Sequence, residues 1–203
     1  MSEDDRTLRR ADLDPDPLVQ LRRWFEEAGT VVRAPEAAAL ATATAGGAPS
    51  VRMVLLKRLD EGGIVFHTPA TSRKGRELEM NPRAALLLYW DPVGRQVRVE
   101  GPVERVSEAE SDVYFAGRPR GAQVGAHASR QSEVIPDREA LERRVAELEA
   151  ELEGCEVPRP ASWVGYRLVP ETWELWQHRD SRLHDRFRYR REGGSWIVER
   201  LAP

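Results

Sequence analysis

Apolar residues recur along this chain first at helical and then at strand spacing. Leu18, Leu21, Trp24, Phe25 and Ala28 share one face at a period of 3.6. Asp16 and Pro17 supply an N-cap and a proline at the first helical position, so the spacing predicts an amphipathic helix over 17–28. From Ala37 the texture becomes small and apolar. Residues 44–49, with Gly46-Gly47, read as a hairpin loop, 51–58 as a strand, 60–63 as a turn and 64–68 as another strand, an antiparallel meander. Thr71 or Ser72 can cap a helix of about 72–80 that ends at Asn81-Pro82. Residues 84–90 read as a buried strand. Over 95–106, Val97, Val99 and Val103 point one way and Gln96, Arg98 and Glu100 the other. Ser107 and Glu110 form a capping box that starts a helix at 108, ending near Gly117. Residues 123–134 look irregular. Asp137 caps a helix over 138–153 whose stripe is Leu141, Val145, Leu148 and Leu152, a structural element. A linker at 154–160 precedes four strands, at 163–169, 172–177, 186–191 and 196–200. Residues 1–14 show no apolar period and read as a flexible arm. The rest, 15–203, reads as one domain, mainly β with flanking helices (α+β).

Composition narrows the partners. The 203 residues carry a net charge of −3, which argues against a nucleic-acid binder. The basic clusters are short and separated, so any anion site is local. The single cysteine, Cys155, can form neither an internal disulfide nor a cysteine metal cage, and no metal is expected. The first ten residues are charged and lack the apolar core of a signal peptide. No run approaches the roughly 20 apolar residues of a membrane span. A cytoplasmic protein is expected.

Candidate chemistry gathers in five places. In Arg52-Met53-Val54-Leu55-Leu56-Lys57 a buried strand would hold two cations about 17 Å apart, at roughly 3.3 Å per residue. They can grip two anionic groups or simply reach solvent. Arg73 and Lys74 sit in the first turn of the helix begun by Ser72, where free N–H groups already favour phosphate. Gln96 can read the polar edge of a heterocycle or face water. Tyr114 and Arg118, four apart, can form a phosphate clamp or a cation–aromatic pair. Arg182, His184 and Arg186 alternate, so an extended segment would put them on one face, at a sheet edge or against a ligand. No GxGxxG, GxxxxGK[ST] or HExxH motif is present.

Taken in order, RMVLLK at 52–57, Ser72-Arg73-Lys74, Arg95-Gln96-Val97, Tyr114-Phe115 with Arg118-Pro119-Arg120, Gln131-Ser132, the segment 173–177, RLHDRF at 182–187 and the closing Arg200-Leu201-Ala202-Pro203 resemble the pyridoxine/pyridoxamine 5′-phosphate oxidase family. The likeness runs from about residue 8 to the end. It implies an antiparallel FMN-binding split β-barrel, a homodimer with FMN at the subunit interface, and oxidation of pyridoxine 5′-phosphate or pyridoxamine 5′-phosphate to pyridoxal 5′-phosphate. O2 would reoxidise the flavin and yield H2O2. By the same resemblance the FMN set is Arg52, Met53, Val54, Leu55, Leu56, Lys57, His67, Thr68, Arg73, Lys74, Gln96, Gln131, Ser132, Trp176 and Arg186. The substrate set is Lys57, Tyr114, Arg118, Arg182 and His184, with Arg182 and His184 as the catalytic pair.

The chain departs from the family pattern at four points. Ala122 stands where the substrate-phosphate cluster usually has a serine, a hydroxyl worth about 0.5–1.5 kcal/mol. His67 replaces the usual aromatic residue before Thr68, and Ala34 replaces an acidic residue before Pro35. The N-terminal arm is short. Two other readings remain beside the oxidase: a related FMN oxidase of a phenazine-type aromatic, and a non-catalytic protein that binds FMN or pyridoxal phosphate.

Overall fold

The computed structural model of the protein describes residues 7–203. Helix α1 (Pro17–Gly29) begins where Asp16 accepts a 2.8 Å hydrogen bond from the Leu18 N–H. Its apolar face buries Leu21 and Trp24, and Phe25 meets Trp90 edge-on at 5.8 Å. The hairpin of β1 (Ala37–Ala43) and β2 (Pro49–Leu55) follows, then β3 (Arg58–Asp60) and β4 (Gly63–Pro69). Helix α2 (Arg73–Met80) leads into β5 (Arg83–Trp90) and the long β6 (Arg95–Arg105). Three helices come next, α3 (Glu108–Ala116), α4 (Arg120–Ala128) and α5 (Arg138–Glu151). Strands β7 (Trp163–Leu168), β8 (Thr172–Gln177), β9 (Asp185–Glu192) and β10 (Ser195–Arg200) complete the chain. No helix among the described residues is long and apolar enough to cross a membrane.

All the strand pairings are antiparallel. One path runs β10-β9-β8-β6-β5-β1-β2, and a second leaves β6 through β7 to β4 and β3. Strand β6 belongs to both, because residues 95–100 pair with β8 and residues 103–105 with β7. The changeover lies at Gly101-Pro102. There the Val169 N–H donates to the Pro102 carbonyl at 2.8 Å and the Glu171 N–H to the Glu100 carbonyl at 2.9 Å. A Cβ on Gly101 would lie 2.0 Å from the Val169 carbonyl oxygen, so the β7–β8 connection can cross β6 only where there is no side chain. The sheet thus curls into a split barrel around Leu40, Phe66, Leu86, Val99, Leu168 and Leu175. A smaller core of Phe115, Val124, Leu148, Val157 and Trp163 holds α3, α4 and α5 together.

Most expected elements are present, with five corrections. Residues 51–58 are not one buried strand. Strand β2 is an edge strand that ends at Leu55, and Val51 (69% exposed) and Met53 (63%) face outward. At Leu56 and Lys57 the chain changes sheets: the Leu56 N–H donates to the Glu36 carbonyl and the Lys57 N–H to the Val65 carbonyl. Arg52 and Lys57 are therefore not the two ends of one straight strand. For the same reason β4 pairs with β3 and β7, and the meander stops at β2. Strand β5 alternates rather than burying both faces, since Leu86, Leu88 and Trp90 point inward while Tyr89 is exposed. Part of the stretch expected to be irregular, 123–134, belongs to α4, where Val124 is the one buried residue, so tertiary packing outweighs a weak local pattern.

The fifth correction concerns the expected arm, of which residues 1–6 lie outside the described residues. From Thr7 onward it is docked. Leu8 is buried, its N–H donates to Asp185 Oδ2 at 3.1 Å, and Arg10 Nη1 donates to the Val198 carbonyl at 2.7 Å. A single leucine anchor leaves no periodicity to read.

Replacing Gly101 by alanine is expected to destabilise the fold by about 1–3 kcal/mol, the cost of overpacking against rigid backbone. Urea denaturation of G101A beside the wild type measures it.

Candidate active site

The N-terminus of α2 is built against the end of β4. Ser72 caps the helix by accepting the Gly75 N–H at 3.2 Å. A Cβ at Gly75 would meet the Ala70 carbonyl oxygen at 2.3 Å, so glycine allows the first turn to lie on the Pro69-Ala70 backbone. The Arg73 N–H donates to Ser132 Oγ at 3.1 Å. Lys74 Nζ donates to Gln131 Oε1 at 2.6 Å and to Thr68 Oγ1 at 3.1 Å. The loop after α4 therefore delivers Gln131 and Ser132 to the helix terminus, and Ser132 adopts φ 77° to do so.

Lys74 is buried, with 8% of its surface exposed, and no carboxylate lies within ion-pair distance of it among the described residues. Burial, and secondarily the charge of Arg52, lowers its pKa to about 8. Unlike Lys74, the neighbouring Arg52 and Arg73 have a carboxylate partner, and they share it. Glu77 Oε1 accepts from Arg73 Nε at 2.9 Å, and Oε2 lies 3.3 Å from Arg52 Nη2 and also accepts from Thr42 and Ser50. Burial pushes the Glu77 carboxyl up, yet the donors Ser50, Thr42 and Arg73 and the charge of Arg52 hold it down at about 2. A buried ammonium among neutral oxygen ligands at a helix N-terminus is the donor set a phosphate monoester requires.

Beside it lies a cavity of about 230 Å3 bordered by Leu55, Lys57, His67, Thr68, Tyr114, Arg118 and Gln131. A larger cavity of about 550 Å3 shares Lys57, His67 and Tyr114 and continues over Val65, Val106 and Val113. His67 stacks on Tyr114 at 4.2 Å and on Trp163 at 4.9 Å. Tyr114 and Trp163 are themselves 5.9 Å apart, so the three rings form a triangle rather than a column. Neither ring nitrogen of His67 has a partner, and burial, then the charges of Arg58, Arg118 and Lys57, lowers its pKa to about 4. His67 is neutral at pH 7. The Arg118 guanidinium lies 4.7 Å from the Trp163 ring and 5.3 Å from Phe115, so its aromatic partners are these and not Tyr114. Arg118 Nη1 is buried without a partner, and burial lowers the pKa of the group. An unsatisfied guanidinium nitrogen beside a cavity favours an anion there.

The remaining expected residues form a second group on β6, β8, β9 and the turn that joins β8 to β9. Gln96 lies opposite Trp176 in register, and Trp176 lies opposite Arg186. Arg186 Nε donates to Glu174 Oε1 at 2.8 Å and Nη1 to the Ala202 carbonyl at 2.9 Å, which ties the C-terminal segment to β9. His184 stacks obliquely on Trp176 at 4.6 Å. Arg182 does not alternate with His184 on an extended strand. Asp180 to Arg182 form a turn closed by the Leu183 N–H on the Asp180 carbonyl, with Ser181 at φ 55° and Arg182 at φ 61°. Such left-handed residues cost roughly 1–2 kcal/mol each. No hydrogen bond, ion pair or ring contact joins this group to the first among the described residues.

The sequence reading missed Glu77, Glu174 and Trp163. Glu77 carries a signal, its i+4 spacing from Arg73. Glu174 becomes visible only with the register that sets it opposite Arg98 and Arg188.

Residues 25–151 match the family described as pyridoxamine 5′-phosphate oxidase. The chain belongs to that family. Residues 163–203 match the pyridoxine 5′-phosphate oxidase C-terminal dimerisation region, which supports a homodimer. A pyridoxine/pyridoxamine 5′-phosphate oxidase of Rubrobacter xylanophilus is 59% identical over 194 residues, covering 94% of this chain and 88% of the relative. The enzyme so named from a Nostoc species is 49% identical over 198 residues, covering 97% and 92%. Among solved structures, PhzG from Burkholderia lata, bound to tetrahydrophenazine-1-carboxylic acid, superposes with a TM-score of 0.91 at 40% identity, covering 97% of this chain and 98% of that one. An FMN-binding protein from Nostoc punctiforme shares the fold, with a TM-score of 0.75 at 16% identity, covering 94% and 100%. The protein is thus an oxidase-family enzyme whose cofactor is FMN. The donor set around Lys74 fits the FMN phosphate, and the face of Gln96, Trp176 and Arg186 offers an amide, an indole and a guanidinium suited to a flavin ring.

Replacing Lys74 by methionine is expected to weaken FMN binding about 10–100-fold, the worth of a charged hydrogen-bond donor, while riboflavin, which has no phosphate, binds as to the wild type. Flavin fluorescence titration measures both. Lys74 grips phosphate in its charged form, so wild-type FMN affinity falls as pH rises above about 8, and K74M lacks that limb.

Proposed function

We propose that this enzyme oxidises pyridoxine 5′-phosphate or pyridoxamine 5′-phosphate to pyridoxal 5′-phosphate with O2 as electron acceptor. The observation that carries the reading is two clusters of cationic and hydrogen-bonding groups on one cavity. Thr68, Gln131 and the adjacent Lys74 serve one phosphate, while Lys57, Tyr114 and Arg118 stand ready for a second. A phosphorylated cofactor and a phosphorylated substrate account for both. Bound FMN would supply the acceptor for the hydride of the substrate carbon, and O2 would take the two electrons to give H2O2. The chain binds and orients. Lys57, Tyr114 and Arg118 hold the substrate phosphate, Arg182 and His184 frame its ring, and neutral His67 separates the two anion sites.

The two groups of site residues stand apart in one chain, and all of the second group except Gln96 falls in the dimerisation region. In our reading each site takes Lys57, Tyr114, Arg118 and the Lys74 cluster from one protomer and Trp176, Arg182, His184 and Arg186 from the other. FMN then lies at the interface, beside the exposed apolar edge of Val51, Met53 and Leu55.

A phenazine-type substrate is the second reading, favoured by the likeness to PhzG and by Ala122, which brings no hydroxyl to the substrate-phosphate cluster. Such a substrate carries a carboxylate and no phosphate, and would leave Lys57, Tyr114 and Arg118 without their best ligand.

In an anaerobic cuvette, pyridoxine 5′-phosphate or pyridoxamine 5′-phosphate is expected to bleach the visible band of the bound flavin. Admitting air should restore it with pyridoxal 5′-phosphate formed. Flavin that stays oxidised with both, and is bleached by a dihydrophenazine carboxylate, would move the assignment to the second reading. Flavin that no substrate bleaches would mark a binding protein.

A further inference from the structure

His178 has no role in any site described above, yet it sits within the second group. Its ring centroid lies 5.3 Å from that of His184 and 6.0 Å from that of Trp176. The position is pinned from the β6 side. The His178 N–H donates to the Gly94 carbonyl at 2.7 Å, and a Cβ on Gly94 would lie 2.9 Å from His178 Cβ. Gly94 itself has φ 63°. The close approach and the left-handed turn together set where the imidazole stands.

His184 is constrained from its other side. The Arg179 N–H donates to His184 Nδ1 at 3.1 Å. That nitrogen must offer a lone pair, so the neutral ring carries its hydrogen on Nε2. A second proton on Nδ1 would break the contact. The other groups facing the pair are few. Arg182 adds positive charge from the intervening turn, while the Arg179 guanidinium turns away to Thr7 Oγ1 at 2.6 Å and lies 4.0 Å from Asp185 Oδ2. Gly94 and Trp176 bring no charge.

We propose that His178 is a positioning residue for His184: an imidazole whose centroid lies 5.3 Å away disfavours a second proton on His184 and so keeps it in its Nε2–H form. Two imidazoles this close do not titrate independently, because a charge on one opposes a charge on the other. His178 is the more exposed of the two residues. Burial, then His178 and Arg182, lowers the His184 pKa, the direction this arrangement requires. His184 then presents Nε2–H to the substrate as a hydrogen-bond donor over the acidic part of the pH range. In this tautomer it orients substrate and is not the base that removes a proton. The functional consequence rests on the oxidase reading; the coupling between the rings does not.

The test uses the FMN-loaded dimer of the wild type and of H178N and H178F. Phenylalanine keeps a ring beside Trp176 and removes the titrating group, which separates charge from packing. The imidazole signal of His184, followed by NMR across pH, is expected to titrate roughly half a pH unit higher in both variants, the effect of one charge at this separation in water-like surroundings. The acidic limb of the pH profile for flavin reduction should move the same way. A His184 titration unchanged in either variant overturns the inference. If neither phosphorylated substrate reduces the wild-type flavin, the oxidase reading fails, and the NMR titration still decides the coupling.

Discussion

Strand β6 is the member on which the rest of the molecule depends. It runs eleven residues and serves two sheets in turn, and the changeover works because Gly101 lets another backbone pass where a side chain would collide. Its first half carries Gln96 and pairs with β8, which carries Trp176 and pairs in turn with β9, where Arg186 lies just after His184. Its second half pairs with β7, which holds β4 and through it Thr68 and the start of α2. Two groups of ligand-binding residues are thereby mounted on one rigid strand at a fixed distance. Among the described residues no contact joins them within the chain, and in our reading a second copy completes the site.

Charge is distributed over this frame in a consistent way. Arginines that serve the frame carry buried carboxylates: Glu77 holds Arg52 and Arg73, and Glu174 holds Arg98 and Arg186. Those carboxylates orient the guanidiniums, and at Glu77 two of them share one negative charge. Lys74 and Arg118 are different. They are desolvated, their pKa values are pushed down, and no carboxylate among the described residues pairs with them. Keeping a cation buried without a counter-charge costs stability that the bound anion returns. In our reading the cations without a carboxylate partner, Lys74 and Arg118, are the ones that take the phosphates.

Much of this was legible in the sequence. The caps at Asp16, Ser72, Ser107 and Asp137 are all used, and Val97 and Val99 point inward as their alternation says. Arg73, Lys74, Gln131 and Ser132 do meet at one helix terminus. What could not be read was set by tertiary geometry. The apolar run at 54–56 looks buried, and nothing local says that the chain changes sheets at Leu56. Helix α4 carries two glycines and one buried valine, too little pattern to register. The turn at Ser181 and Arg182 needs two left-handed residues that are not glycine, a conformation no propensity predicts. Arg118 faces Trp163, forty-five positions away in the chain, and only the fold brings them together.

The central claim is that each site is shared between two protomers. Mixed dimers test it most directly. Homodimers of K57A and of R182A should both be inactive, while dimers co-expressed with one chain of each should regain one intact site of two, and so about half the wild-type turnover per dimer if the two sites act independently. If Lys57 and Arg182 served the same site from one chain, every site in the mixed dimer would carry a lesion, and activity would stay at the level of the parents.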